Sequence, residues 1–440
     1  MSFLTKYQNV VELIEPVKTI GYVDMVNGMF VESVGPNVVI GELCRITNNH
    51  DGGYVFAEVV GIRHDRVQLM LYSDVENIAI GSPVTATGSP LKVPVGSQLL
   101  GKVLDARGRS KNNHLLADHE YSILREAPDV LSRPLIDTQL VTGIRAIDAF
   151  LSIGKGQRIG IFSGSGVGKS TLLGMLARNT SVDVNVIALI GERGREVREF
   201  IEQNLGEEGM QRSVVVVSTA NEPAIARFRA AFVAVSIAEY FRDQGNDVLL
   251  LFDSITRFAR AQREISLAKG EMPAFRGFPP SVDAVLPKLL ERCGTASRGS
   301  ITAFINVLVE GDDLDEPISD TIRGILDGHI VLSRALAEQN HFPAIDVLRS
   351  VSRLATQVAP SQLSRYAVQL RQALARYEHA KDIIQSGIYI KGSDEKLDAA
   401  CHTVEQLSPF LTQQLGEYQD MSAMLQWLAE LVGEGVEKAQ

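Results

Sequence analysis

Cysteine is scarce in this 440-residue chain: Cys44, Cys293 and Cys401 are the whole complement, and no two stand in a C-x-x-C spacing. An odd three cannot form a disulfide framework, and the spacing offers no zinc site, so the cysteines point to a reducing cytoplasm. Positive charge is also short: 43 Lys and Arg face 53 Asp and Glu, a formal net charge of −10. That excludes a protein whose main task is to coat nucleic acid, which needs a basic face. Long apolar runs are missing too. Those at 214–217 and 248–252 have strand length, far below the ~18 residues that span a bilayer. No basic segment followed by an apolar one opens the chain, so no secretory signal is expected. What is present, 45% hydrophobic and 22% charged residues, is the composition of a chain that buries a sizeable core, and wholesale disorder is excluded.

The length predicts about three domains at ~150 residues each. Residues 1–17 stand apart: Phe3, Tyr7, Val10, Val11 and Ile14 recur at helical spacing and Pro16 ends the pattern. Such a helix either caps the next domain or docks a partner. Residues 18–92 predict a small β-barrel. Short runs of Val, Ile, Tyr and Thr are cut by turn signals at Asn27-Gly28, Gly35-Pro36-Asn37, Asp51-Gly52-Gly53 and Arg63-His64-Asp65. Residues 93–140 read as a linker with few strong patterns. It leads a domain extending to 355 in which strands alternate with helices, the signature of an α/β parallel sheet covered on both faces. From 356 to 440 the pattern is helical, with breaks at Gly387 and Gly392-Ser393.

Between an apolar strand at 157–162 and a helix carrying Leu172, Leu173 and Leu176 lies Ser163-Gly164-Ser165-Gly166-Val167-Gly168-Lys169-Ser170-Thr171. Glycines let backbone N–H groups turn inward around an anion, and the helix N-terminus adds a positive dipole. Lys169 can reach the β- and γ-phosphates, and Ser170 can offer its hydroxyl to Mg²⁺. The pattern G-x-x-x-x-G-K-[ST] begins with Gly, where this chain has Ser163. A dinucleotide fold would carry G-x-G-x-x-G instead. The ligand expected is therefore a nucleoside triphosphate. Asp253 ends the apolar run from 248 to 252, at the sheet edge where ligands of α/β folds gather, and suits Mg²⁺. Glu192, in Gly191-Glu192-Arg193-Gly194-Arg195-Glu196 after the strand at 185–190, is a carboxylate able to orient water for attack on the γ-phosphate, or else one charge of a solvated cluster.

The segments 164–171, 191–200, 237–245, 261–265, 277–282 and 325–334 together resemble the flagellum-specific ATPases of the type III protein-export apparatus, relatives of the rotary ATP synthase catalytic subunit. The likeness runs from about residue 18 to 400. It implies a RecA-like core with a phosphate loop, ATP and Mg²⁺ as cofactors, and roles for single residues. Glu192 matches the catalytic glutamate and Arg193 the arginine beside it. Asp253 matches the magnesium-site aspartate, and Arg257 an arginine that contacts the γ-phosphate. Phe342 matches the aromatic that packs on adenine, and Arg353 the finger that reaches a neighbouring subunit's nucleotide. Asp283 departs from the family, which usually has Phe there in a loop facing the ring's centre.

The resemblance further implies a cytoplasmic homohexamer peripheral to the membrane-embedded export gate. Its partners would be a stator-like regulatory protein at the N-terminus, a central stalk protein, and export substrates with their chaperones. A virulence injectisome ATPase has the same catalytic residues, and the gene neighbourhood separates the two. A hexameric nucleic-acid motor would need a basic, aromatic-studded barrel, which 18–92 lacks, so no nucleic acid is expected. A noncatalytic rotary subunit would lack the glutamate found at 192.

Overall fold

The computed structural model describes residues 19–48, 52–73, 78–110, 119–274, 277–309 and 316–434; the helix expected at 1–17 lies outside them. Six strands, β1 (Ile20–Asn27), β2 (Phe30–Val34), β3 (Glu42–Thr47), β4 (Tyr54–Arg63), β5 (Arg66–Leu71) and β6 (Pro83–Pro90), close a barrel in the order β1-β2-β5-β4-β3-β6. Val23, Val31, Cys44, Ile46, Ala57, Val59, Leu69 and Val84 fill its interior. Closure leaves no unpaired edge strand. The turn signals act as expected: Gly28 and His64 take φ of 57° and 55° at hairpin tips. The barrel is fastened to the helix Ala224–Asp243 by a buried ion pair. Glu58 accepts from both Nε (2.8 Å) and Nη2 of Arg229, and from the Tyr72 hydroxyl at 2.9 Å. A buried pair of this kind costs about 3–5 kcal/mol to break from one side.

Later strands are β7 (Lys92–Val95), β8 (Lys102–Leu104), β9 (His119–Ser122), β10 (Arg158–Ser163), β11 (Val184–Glu192), β12 (Ser213–Thr219), β13 (Asp247–Asp253), β14 (Gly294–Thr295), β15 (Ser300–Leu308), β16 (Gly328–Val331) and β17 (Val351–Ser352). A central sheet runs β17-β16-β10-β15-β13-β11-β12-β8, with β14 beside β15. The pairings from β16 to β8 are parallel. On β11, Val186, Ala188 and Ile190 pack with the helix Ala224–Asp243, while Ile187 and Leu189 pack on the other face with Leu172, Leu173 and Leu176. Two buried faces explain why the strand reads as a continuous apolar run. Residues 93–140, read as a linker, do more than connect: β7 pairs with β9, and β8 extends the central sheet beyond β12. Three residues of strand are too few to show a periodicity.

The helices Ser361–Gln385, Glu395–Leu411 and Met421–Leu431 follow, with Gly387 and Gly392 at φ of 72° and 93° in the first break. Buried Arg145 ties this region to the helix Arg145–Phe150, which it begins: its Nε donates to Phe410 O at 2.7 Å, and its guanidinium also meets Thr412 O and Glu417. Among the described residues no helix is long and apolar enough to cross a membrane.

Candidate active site

The phosphate loop leaves β10 and enters the helix Lys169–Asn179. Gly166 and Gly168 have φ of 81° and 85°, a left-handed conformation that a Cβ makes costly, and Gly168 caps the helix in it. Val167 is buried and pins the loop to the core, while Ser165, Gly166 and Ser170 stay exposed. A Cβ on Gly168 would lie 3.1 Å from Cδ1 and Cε1 of Phe342. The fold has thus carried Phe342 from far along the chain onto the loop, with the residue 36% exposed. Its carbonyl accepts from Gln413 N–H at 2.8 Å.

Neighbouring strands deliver the charged groups. Glu192 ends β11, Asp253 ends β13, and both are buried. Lys169 Nζ lies 2.9 Å from Asp253 Oδ1 and 3.4 Å from Glu192 Oε1. Arg257, one turn after Asp253, sets Nη1 3.1 Å from Glu192 Oε2 and also donates to Gly191 O. Gly191 makes room for it: a Cβ there would sit 2.8 Å from Arg257 Cδ. Burial pushes the Glu192 carboxyl up to about 7. The Asp253 charge and a bond with Glu196 add to this, and Lys169 and Arg257 only partly offset it. Burial pulls the Lys169 ammonium down, but Asp253 and Glu192 outweigh it and hold it above the usual lysine range. The cluster therefore combines a fixed cation with a carboxylate that changes charge near neutrality, the range in which a general base works best.

One residue of the cluster was not read from the sequence. Asn306, buried on β15, donates from Nδ2 to Asp253 Oδ1 at 2.6 Å, and its Oδ1 lies 3.3 Å from Ser163 Oγ. Its signal was a carboxamide alone in the apolar run at 301–309. Two expected residues stand outside the cluster. The Arg193 side chain is 81% exposed and reaches Glu196 at 3.6 Å. Arg353 follows β17 at the sheet edge. It is exposed, its N–H bonds Asp327 O at 3.0 Å, and its guanidinium meets Arg323 O at 3.4 Å. Asp283 is exposed in the first turn of the helix Pro280–Leu290.

A parallel sheet with a phosphate loop, a strand-end aspartate and a strand-end glutamate defines a nucleoside triphosphatase, and family matches resolve which kind. Residues 23–88 match the β-barrel domain of the ATP synthase alpha/beta family and 143–352 its nucleotide-binding domain. Residues 359–430 match the T3SS EscN ATPase C-terminal domain. The chain is 53% identical over 433 residues to a flagellum-specific ATP synthase of Treponema pallidum, covering 97% of each. It is 48% identical to a type 3 secretion system ATPase of Xanthomonas euvesicatoria, covering 92% of this chain and 93% of that one. It also overlays, with a TM-score of 0.87 and 43% identity, on the assembled ATPase EscN in complex with its central stalk EscO from enteropathogenic E. coli, covering 94% of this chain and all of that one. The chain belongs to the family of flagellum-specific and type III secretion ATPases, and it is an ATPase.

Proposed function

We propose that this ATPase hydrolyses ATP with Mg²⁺ to energise protein export through a flagellar type III apparatus, as a cytoplasmic ring of identical subunits at the membrane-embedded gate. The observation that carries the chemistry is the convergence of Lys169, Glu192, Asp253 and Arg257 at the ends of adjacent strands beside the phosphate loop. The loop N–H groups and Lys169 bind the phosphates, and the Phe342 ring packs on the base. Glu192 orients the attacking water and takes its proton. Lys169, Arg257 and, from a neighbouring copy, Arg353 offset charge on the transferring group, joined by Arg193, the residue after Glu192. Such catalysis is mostly positioning and charge stabilisation.

The residues fit a magnesium ion. Among the described residues no cluster of three or more His, Cys, Asp and Glu is placed to chelate a metal. The donors present, the Asp253 carboxylate and the exposed Ser170 hydroxyl, are hard oxygens of the kind Mg²⁺ takes alongside phosphate and water. Bound there, the ion would neutralise phosphate charge. A central stalk in the ring's channel, chaperone-bound substrates, and a stator-like protein on residues 1–17 complete the proposal. The relative from Treponema pallidum, at 53% identity over 97% of each chain, favours the flagellar reading over an injectisome; other flagellar relatives, at 44–48%, overlap the type 3 secretion ATPases at 45–48%.

Two substitutions test the chemistry. Lys169→Ala deletes a phosphate contact and is expected to weaken ATP binding and abolish turnover. Glu192→Gln is nearly isosteric and is expected to bind ATP normally while losing about 10²–10⁴ in rate, the usual worth of a positioned base. Equilibrium ATP binding with single-turnover rates reads both, and near-normal hydrolysis by Glu192→Gln overturns the assignment.

A further inference from the structure

Ser163 stands where the phosphate-loop pattern has glycine, and nothing in the binding of phosphate uses its side chain. Its surroundings give it another task. β15 lies between β10 and β13 in the sheet, with Ile161 opposite Asn306 and Phe252 opposite Ile305. That register sets Asn306 beside Asp253 on one side. On the other it sets Asn306 diagonal to Ser163, which shares a face with Ile161. All three side chains are buried. The Ser163 hydroxyl donates to Asn306 Oδ1 at 3.3 Å, and Asn306 Nδ2 donates to Asp253 Oδ1 at 2.6 Å. Lys169 donates to the same Asp253 oxygen at 2.9 Å. Among the described residues no side chain donates to Oδ2.

We propose that Ser163 and Asn306 form a two-residue relay that positions the Asp253 carboxylate, and that this relay is what the serine at the first loop position is for. An unsupported carboxylate can turn about its last bond. Two donors converging on Oδ1 fix its plane and leave Oδ2 turned toward the ligand. Asn306 holds the carboxylate, and Ser163 holds the amide in the orientation that presents nitrogen rather than oxygen. Outer partners of this sort typically change metal affinity by about 10–100-fold. The inference rests on the reading that Asp253 serves the divalent ion.

The test is Mn²⁺ binding to the full-length protein with ADP, followed by electron paramagnetic resonance, beside ADP binding without metal. Asn306→Ala is expected to weaken Mn²⁺ binding about tenfold and to leave metal-free ADP affinity unchanged. Asn306→Thr, which keeps a donor of similar size, should recover part of the loss. Ser163→Gly restores the pattern's own residue, so the loop folds. It is expected to weaken Mn²⁺ binding about threefold, and to add nothing in an Asn306→Ala background, because the two act in series. Unchanged Mn²⁺ affinity in Asn306→Ala, or a full independent effect of Ser163→Gly in that background, overturns the relay. Asp253→Asn separates the two ideas. If it too leaves Mn²⁺ affinity unchanged, the metal reading has failed. If it abolishes binding while Asn306→Ala does not, the relay alone has failed.

Discussion

Two ends of one sheet treat arginine in opposite ways. At the ligand edge, Arg257 is folded onto its own chain, with its guanidinium 3.1 Å from Glu192 and its stem in space that Gly191 provides. At the β17 edge, Arg353 is exposed, and among the described residues its guanidinium meets a backbone carbonyl, Arg323 O at 3.4 Å. The first arginine has been paired by folding. The second has been anchored at its backbone, and among the described residues no carboxylate pairs with it, although it follows a strand held in the same sheet. A cation that folding leaves unpaired at a domain edge is suited to an anion brought by another molecule, and the proposed ring supplies one in the next subunit's nucleotide. On the proposed reading, one part of the site is completed within a chain and the other takes two.

The largest expected effect breaks the β17 end. Arg353→Ala should fold and bind ATP but hydrolyse about 10³–10⁵ times more slowly, the range for loss of an arginine finger. Mixed with Lys169→Ala, it should regain activity, because some interfaces would then join an intact loop to an intact finger. A closing heterologous contact gives every subunit such an interface. Specific activity should also rise with protein concentration. A dilute monomer working at the full specific rate, or mixed rings without rescue, removes the distinction drawn here between the two ends.

The middle effect concerns the residue that joins the loop to the rest of the chain. Stacking of a base on an aromatic contributes about 1–3 kcal/mol. Phe342→Ala is therefore expected to raise KM for ATP about 5- to 150-fold with little change in kcat. Inhibition by inorganic triphosphate, which has no base, should not change. Equal weakening of both ligands would mean that Phe342 supports the loop, on which its ring rests, rather than the base.

These effects differ in how far the sequence foretold them. The phosphate loop was legible because its residues are contiguous: the glycines, Lys169 and Ser170 lie within one strand-to-helix turn. The buried strands were legible because both faces are apolar. Asp253 and Glu192 stood out because a charge at the end of an apolar run is conspicuous, and both lie beside Lys169 in the fold. Asn306 was not, since its partners Asp253 and Ser163 become neighbours only through the strand order β10-β15-β13. β8 was lost in a stretch read as a linker because three residues carry no period. The tie from Arg145 to Phe410, Thr412 and Glu417 was equally out of reach, spanning more than 260 positions. Local chemistry is written in spacing, whereas pairing is written in topology.

The smallest expected effect sharpens the picture of the ligand edge as a place where folding has forced charges together. The Glu192 carboxyl is raised from 4.5 to about 7, chiefly by burial and then by Asp253. The folded state therefore binds the proton more tightly than the unfolded chain. The stability this brings is complete below 4.5 and is lost as pH rises through about 7. Glutamine imitates the protonated form and never ionises. Glu192→Gln should then match the parent near pH 4 and exceed it increasingly up to pH 8, by at most about 3 kcal/mol at 1.36 kcal/mol per pKa unit. Denaturant midpoints of the two proteins across that range measure the gap. If Lys169 and Arg257 instead make the ionised carboxylate a net gain, the sign reverses and Glu192→Gln is the less stable protein at pH 8. Ionisation of the same carboxylate also bears on the rate. Only the ionised carboxylate can take a proton from water, so single-turnover hydrolysis should rise with pH as Glu192 ionises in the nucleotide-bound protein, and Glu192→Gln should show no such rise.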